Sequence, residues 1–268
     1  MQTIEKNKCR VILILIIFII NSMPTFNQHL VNIEDFTENA RSRRYTNTNY
    51  TNVIQDALLS CKNYDSSIIV FPNGRYDFWP DFTDLRPTIG IHMKNLKNVT
   101  IDGGRSEFIF HGNMIIASLI GCENITLKNF EVDWDRPFVF QGEYVSMTGD
   151  YADIKFNREE YQYIIQDSLF YLTGEGWKAQ PSAWGNVFDG ETKEIVYRTK
   201  DHVNRSLFLG KAVEIEPGIV RFYGKPTSFL EPGTIQTFYA GSYITDCIQI
   251  FECKNTFLEN INVYHGLS

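Results

Sequence analysis

Asp133 and Asp135, in the run Val132-Asp-Trp-Asp-Arg-Pro137, are carboxylates whose spacing suggests chemistry. On a β-strand, residues two apart face the same side, so these two leave the backbone about 6.6–7 Å apart. Carboxyl groups at such a distance can divide labour, one protonating a leaving oxygen while the other activates water. Ionised together, they can instead accept hydrogen bonds from hydroxyl groups. Arg136 favours the ionised form of a neighbour, and Trp134 between them offers an apolar face of the kind that covers a sugar ring. The plainer reading is a charged pair that caps a strand. Asp133, Trp134, Asp135 and Arg136 are therefore candidates for lining a ligand groove rather than an assigned acid–base pair.

Other reactive side chains are more scattered. His111 and His265 stand alone on or near predicted strands, where a histidine is usually structural. Asp77, Trp79 and Asp81 fit the closure of a strand better than a groove. No CxxC pair or His/Cys cluster marks a metal site, so neither a metal nor a cofactor is expected. The sequence also lacks a Ser-His-Asp order, a phosphate loop and a Gly-rich nucleotide turn.

A strand that carries such groups needs a frame, and the chain repeats one. Asn95-Leu-Lys-Asn-Val-Thr-Ile-Asp-Gly103 returns 26 residues later as Cys122-Glu-Asn-Ile-Thr-Leu-Lys-Asn129. It returns 131 residues after that as Cys253-Lys-Asn-Thr-Phe-Leu-Glu-Asn260. In each copy apolar positions alternate: Val99 and Ile101, Ile125 and Leu127, Thr256 and Leu258. That pattern is a strand with one buried face. Asn98, Asn124 and Asn255 fall at the strand entrance, where Asn tolerates a left-handed backbone and its amide can bond the copies above and below. A period in the twenties marks a solenoid. The predicted fold is all-β: a right-handed parallel β-helix with an inserted antiparallel β-barrel or sandwich.

The insert is placed by the same count. One further coil needs about 26 residues, yet 131 separate the second and third copies. The surplus, 137–239, holds short β-patterned runs at 139–148, 152–156, 169–173, 195–198, 212–217 and 218–223; extra irregular coils are the alternative. Gly174 to Gly190 reads as a long exposed loop. Residues 27–136 would form an N-terminal cap and the first coils, with an amphipathic helix over Asn47–Lys62, and 240–268 would resume the coil and leave it incomplete.

Composition agrees with a folded, exported chain. Apolar residues make up 43% and charged residues 21%, which are globular values. The net charge of −7 argues against nucleic acid or an anionic membrane surface as partner. Lys6, Lys8 and Arg10 precede the ten-residue apolar run Val11–Ile20, too short to span a bilayer and suited to a signal peptide over residues 1–26. Export to the periplasm or medium follows as an expectation, with no integral membrane span after cleavage. Leu96, Cys122 and Cys253 occupy one place in the three copies, so the cysteines are expected as buried thiols, with a disulfide, which export would permit, as the alternative. Asn49, Asn98, Asn124 and Asn204 match the glycosylation acceptor pattern, which packing explains better at the two repeat positions.

Three motifs carry a resemblance. Phe71-Pro-Asn-Gly-Arg-Tyr-Asp-Phe-Trp-Pro-Asp81, Asn98-Val-Thr-Ile-Asp-Gly-Gly-Arg-Ser-Glu-Phe-Ile-Phe-His-Gly112 and Asn124-Ile-Thr-Leu-Lys-Asn-Phe-Glu-Val-Asp-Trp-Asp-Arg-Pro-Phe138 resemble the exo-acting alpha-1,3-galactosidases of glycoside hydrolase family 110. The resemblance runs from about residue 35 to the end of the chain. It implies a β-helix with β-barrel-like modules and a galactose-terminated glycan as partner. The implied reaction removes terminal α-1,3-linked galactose, with inversion, from blood-group B or linear α-galactosyl glycans. Family members are roughly twice as long, and their catalytic aspartates lie in motifs of the kind Ala-Asp-Ala-x-His and Asp-Asp-Gly-Thr, which this chain lacks. The resemblance therefore gives no residue here a catalytic role, expects the pair downstream of Ser268, and implies a catalytically deficient chain. A non-catalytic carbohydrate-binding β-helix fits the same residues. A polysaccharide lyase fits less well, since it wants a basic groove.

Overall fold

The computed structural model describes residues 28–38, 48–81, 86–182, 185–197, 199, 204–227, 230–240 and 246–265. The leader-like stretch 1–26 lies outside the described residues. Strand β1 (Gln28–Asn32) is followed by helix α1 (Tyr50–Ser60), then β2 (Ser66–Val70), β3 (Arg75–Phe78), β4 (Thr88–Lys94), β5 (Lys97–Phe110), β6 (Met114–Ile120) and β7 (Glu123–Trp134). The next group is β8 (Val139–Met147), β9 (Tyr151–Lys155), β10 (Tyr163–Gln166), β11 (Leu169–Gly174), β12 (Trp177–Ala179), β13 (Val187–Asp189), β14 (Ala212–Glu216), β15 (Ile219–Tyr223) and β16 (Thr234–Tyr239). Strands β17 (Ile248–Phe251) and β18 (Lys254–Val263) come last. Among the described residues, no helix is long and apolar enough to cross a membrane.

The repeat copies form parallel sheets. One has the order β1-β2-β5-β7-β18, with β3 also beside β5; a second has β4-β6-β17. The chain visits the two in turn, from β4 to β5, β6 to β7 and β17 to β18. Val99 pairs with Ile125 and Ile125 with Thr256; Ile101 pairs with Leu127 and Leu127 with Leu258. In β5 and β7 the register therefore follows the buried face, which a one-residue slip would turn to solvent; in β18 the matching Thr256 is partly buried and Leu258 exposed. At the strand entrances Asn98, Asn124 and Asn255 have φ of 54°, 55° and 52°. The amide of Asn124 donates to Asn98 (2.7 Å) and that of Asn255 to Asn124 (2.9 Å). A second ladder, absent from the sequence reading, runs from Asn260 to Asn129 (3.1 Å) and from Asn129 to the Asp102 carboxylate (3.0 Å). Gly103 passes beneath it because a Cβ there would meet Phe130 Cβ at 2.5 Å.

Leu96, Cys122 and Cys253 stack as expected. The Glu123 amide donates to Leu96 O (3.0 Å) and the Lys254 amide to Cys122 O (2.9 Å). The Cys122 amide reaches the Cys253 thiol at 3.3 Å. Cys61 and Cys122 are buried thiols, whereas Cys247 and Cys253 are thiols only partly buried, because they immediately precede the outermost parallel strands. The parallel core is aromatic: Phe108 stacks on Phe130 with centroids 4.6 Å apart, and Phe78 on Phe110 at 4.8 Å. Each such ring contributes roughly 1.5–3 kcal/mol by leaving water. Helix α1 buries Val53, Ile54, Ala57 and Leu58 against this core. Its N-cap, Asn49, accepts from the Thr51 amide (3.0 Å) and also binds the Trp79 backbone, so the acceptor pattern there is a helix cap.

From Val139 to Tyr239 the pairing changes. Strands β13-β16-β8-β9-β15-β14 make an antiparallel sheet, and β10-β11-β12 a second one; among the described residues none of these strands joins a parallel sheet. Phe156, Phe170, Phe222 and Phe238 pack together inside. Tyr144, fully buried, donates to Gln236, and the Asn204 amide donates to its hydroxyl (2.7 Å). Asn204 is thus a buried structural residue. The sequence reading needs correction between Gly174 and Gly190. The expected exposed loop contains β12 and β13, and Trp177 is buried on Phe138. Glycine and polar residues there serve tight turns between short strands. Ile195, expected in a strand, makes only an isolated bridge with Phe188.

Candidate functional site

The ends of β3, β5, β7 and β18 stack, and so do the residues that follow them. Phe78 pairs with Phe110 and Phe110 with Trp134. One step further, the His111 amide donates to Phe78 O (3.0 Å), the Asp135 amide to Phe110 O (3.1 Å) and the Tyr264 amide to Val132 O (2.8 Å). Strand alternation sends Phe78, Phe110 and Trp134 inward, and lines up Asp77, Asp133 and Asp135 along the outer edge.

His111 is the centre of this edge. Its ring is buried, stacked on Trp79 with centroids 3.4 Å apart. Nε2 lies 2.9 Å from Asp77 Oδ1, and Nδ1 lies 2.7 Å from Glu175 Oε2. Burial pulls the His111 pKa down, but the Asp77 and Glu175 carboxylates more than offset it and hold it above the ordinary histidine value. Burial in turn raises the Asp77 pKa, yet the hydrogen bonds from His111 and Arg75 win, and the carboxyl sits below its usual range. Arg75 donates to Asp77 Oδ1 from Nη2 (2.8 Å) and Nε (3.1 Å).

Glu175 comes from the antiparallel side. It sits in the turn between β11 and β12, where Gly176 has φ of 72°. A Cβ on Gly174 would fall 2.3 Å from the Trp177 ring, so glycine lets the turn fold over that indole. Trp177 packs on Phe138, just after β7. The same hydrophobic contact that seats the hairpin thus delivers Glu175 to His111.

The predicted residues fare differently. Asp133 and Asp135 do share the outward face. Asp133 accepts from the Trp134 amide (2.8 Å) and faces His265 Nδ1 (2.8 Å). Asp135 has Arg75 at 3.6 Å and Arg136 at 3.7 Å, so the expected Arg136 partnership is present but long. Trp134 does not present a stacking face: its indole is buried 5.8 Å from Phe110, because residue 134 alternates to the core side. His111 and Asp77 belong to the cluster, which the sequence reading took as structural, and Glu175 was missed altogether. The one available signal was the register that aligns Tyr76-Asp-Phe-Trp79, Phe108-Ile-Phe-His111 and Val132-Asp-Trp-Asp135.

Chemically, this edge offers the partly exposed carboxylates of Asp133, beside His265, and Asp135, beside Arg75 and Arg136, an arrangement that accepts hydroxyl donors. It also offers donors to a cation: a His111 ring nitrogen and one oxygen each of Asp135 and Glu175 lie within 4.8 Å of one another. A cavity of about 590 Å³ opens elsewhere, over β8 and β9, lined by Gln141, Glu143, Lys155, Asn157, Arg158 and Tyr161.

Comparison with known proteins bears on what such an edge serves. The family model described as GLAA-B beta-barrel domain I matches residues 140–235. Alpha-1,3-galactosidase B of Bacteroides thetaiotaomicron is 34% identical over 253 residues, 88% of this chain and 40% of that protein. Alpha-1,3-galactosidase B of Phocaeicola vulgatus is 34% identical over 242 residues, 81% and 39% respectively. Alpha-1,3-galactosidase A of Shewanella woodyi is 31% identical over 227 residues, 80% and 37%. The chain spans about two fifths of the length of the curated relatives it matches. With the insert matched by the family model and two relatives 34% identical over 81–88% of its length, the chain belongs to the alpha-1,3-galactosidase family.

Proposed function

We propose that this chain is the glycan-facing scaffold of an inverting glycoside hydrolase that removes terminal α-1,3-linked galactose. The observation that carries the reading is the edge where Asp77, Asp133 and Asp135 line up beside Arg75 and Arg136, in a chain whose relatives bear the name alpha-1,3-galactosidase. Carboxylates fixed by guanidinium groups accept sugar hydroxyls at a low reorganisation cost. The two parallel sheets, visited in turn by the chain, are on this reading successive faces of a right-handed β-helix over 27–136 and 240–268, with 137–239 inserted. The leader over 1–26 exports the protein.

Inversion needs an acid and a base on opposite faces of the sugar, far enough apart to admit water. Asp133 and Asp135 share one face of one strand, so they bind rather than cleave. The pair that cleaves belongs to motifs outside these 268 residues, and the chain alone is catalytically deficient. The test is binding: saturation-transfer NMR of an α-1,3-galactosyl disaccharide with the purified chain. Transfer to the terminal galactose, weakened at least about tenfold in Asp133→Asn and Asp135→Asn, is expected from the loss of charge-assisted hydrogen bonds. Equal transfer in all three proteins would remove the edge from the binding account.

A further inference from the structure

The contacts of His111 point to a second role for this edge. If Nε2–H is donated to Asp77, Nδ1 presents a bare lone pair. A lone pair and a carboxylate oxygen 2.7 Å apart require a cation beside them. A proton satisfies two atoms, but here a third donor arrives. Asp135, Glu175 and His111 stand on three separate chain segments, yet their donor atoms fit within 4.8 Å. Donors bound about 2.0–2.2 Å from a tetrahedral zinc-type ion lie about 3.3–3.6 Å apart, so the farthest pair closes by about 1.2–1.5 Å, through side-chain rotation at Asp135 and Glu175, to supply three of four donors. Asp77 behind the ring supplies the carboxylate–histidine support that fixes tautomer and orientation at metal sites. Trp79, stacked on the imidazole, limits its rotation.

We propose that His111, Asp135 and Glu175 form a site for a divalent transition-metal cation, which ties the β11–β12 turn to the ends of the parallel strands. The mixed nitrogen and oxygen donors favour a zinc-class ion over calcium or magnesium, which prefer all-oxygen shells. The charges are compatible. With a neutral imidazole, the carboxylates of Asp77, Asp135 and Glu175 outnumber the guanidinium groups of Arg75 and Arg136 by one, and the ion reverses that by a single charge. Such a site binds moderately and yields its ion to a chelator. The inference shares Asp135 and Asp77 with the glycan reading but does not rest on it, because cobalt is titrated with no glycan present.

The test uses the purified 268-residue chain, stripped with chelator and titrated with cobalt(II) chloride. The expected result is a saturable visible d–d absorption with one ion per chain, displaced by zinc, and a zinc-dependent rise in melting temperature. Glu175→Gln and His111→Gln should each weaken cobalt binding at least about tenfold, and Asp77→Asn should do so by about 10–100-fold. Asp133→Asn should leave it unchanged. If His111→Gln fails to fold by circular dichroism, Glu175→Gln and Asp135→Asn carry the test on half-exposed side chains. An absent cobalt spectrum with an unshifted melting temperature would overturn the proposal and leave a proton between His111 and Glu175. A spectrum that survives Glu175→Gln and Asp135→Asn together would overturn it as well.

Discussion

Replacing Asn124 separates two things that the asparagine ladder does. Asn124 has φ of 55°, gives one amide hydrogen bond to Asn98 and takes one from Asn255. Alanine removes both bonds and leaves a Cβ residue in the left-handed region. A net hydrogen bond is worth about 0.5–1.5 kcal/mol, and the low end applies where water can replace it, so the two come to about 1 kcal/mol. The left-handed backbone costs an alanine a further 1–2 kcal/mol or about that. Asn124→Ala should therefore lose about 2–3 kcal/mol, and Asn124→Gly, free to adopt positive φ, about 1 kcal/mol. Urea unfolding at constant m value measures both. A glycine variant as unstable as the alanine variant would refute the backbone part. An alanine variant within about 0.5 kcal/mol of the parent, the scatter of ordinary surface changes, would refute the ladder as a source of stability.

Other perturbations follow from the same frame. Phe130→Ala empties a buried ring that stacks on Phe108 and should cost about 3–5 kcal/mol in urea. Gly103→Ala forces a Cβ onto Phe130 and should cost about 1–3 kcal/mol, whereas Gly149→Ala, with nothing within 4 Å, should stay near the parent in the same assay. Burial raises the Asp102 pKa, but hydrogen bonds from Asn129, Gly104 and Lys128 outweigh it and leave the folded value depressed. The Asp102 contribution is then fully present above the unfolded value of about 3.9 and fades as pH falls through the folded one. The stability gap between the parent and Asp102→Asn should hold from neutral pH to about pH 5 and close below about pH 4; a gap independent of pH would contradict the charge argument.

What the sequence made legible is what local chemistry dictates. Asn98, Asn124 and Asn255 announced a left-handed residue at a strand entrance, and the alternation behind them announced the buried face, so register and stacking could be read together. The end of each repeat, Asn129 and Asn260, carried a second ladder that the same reasoning passed over, because its lower partner is Asp102 instead of an asparagine. Strand β1 was not expected, since its five residues gain their pairing only from β2. The Gly174–Gly190 segment misled by composition: a turn that folds over Trp177 needs glycine, and glycine reads as loop. Trp134 was placed outside for its chemistry although alternation from Val132 already turned it inward. The His111–Glu175 contact spans 64 residues and two sheets. No local pattern encodes it; it appears only once Trp177 has docked on Phe138.

The most direct measurement of the central claim is galactose release. The purified 268-residue chain would be incubated with an α-1,3-galactosyl disaccharide and free galactose followed over time, alongside the saturation-transfer signal. The account predicts transfer to the terminal galactose and no galactose set free. Sustained release by this chain, or hydrolysis that Asp133→Asn and Asp135→Asn abolish, would make this edge the catalytic pair and contradict it.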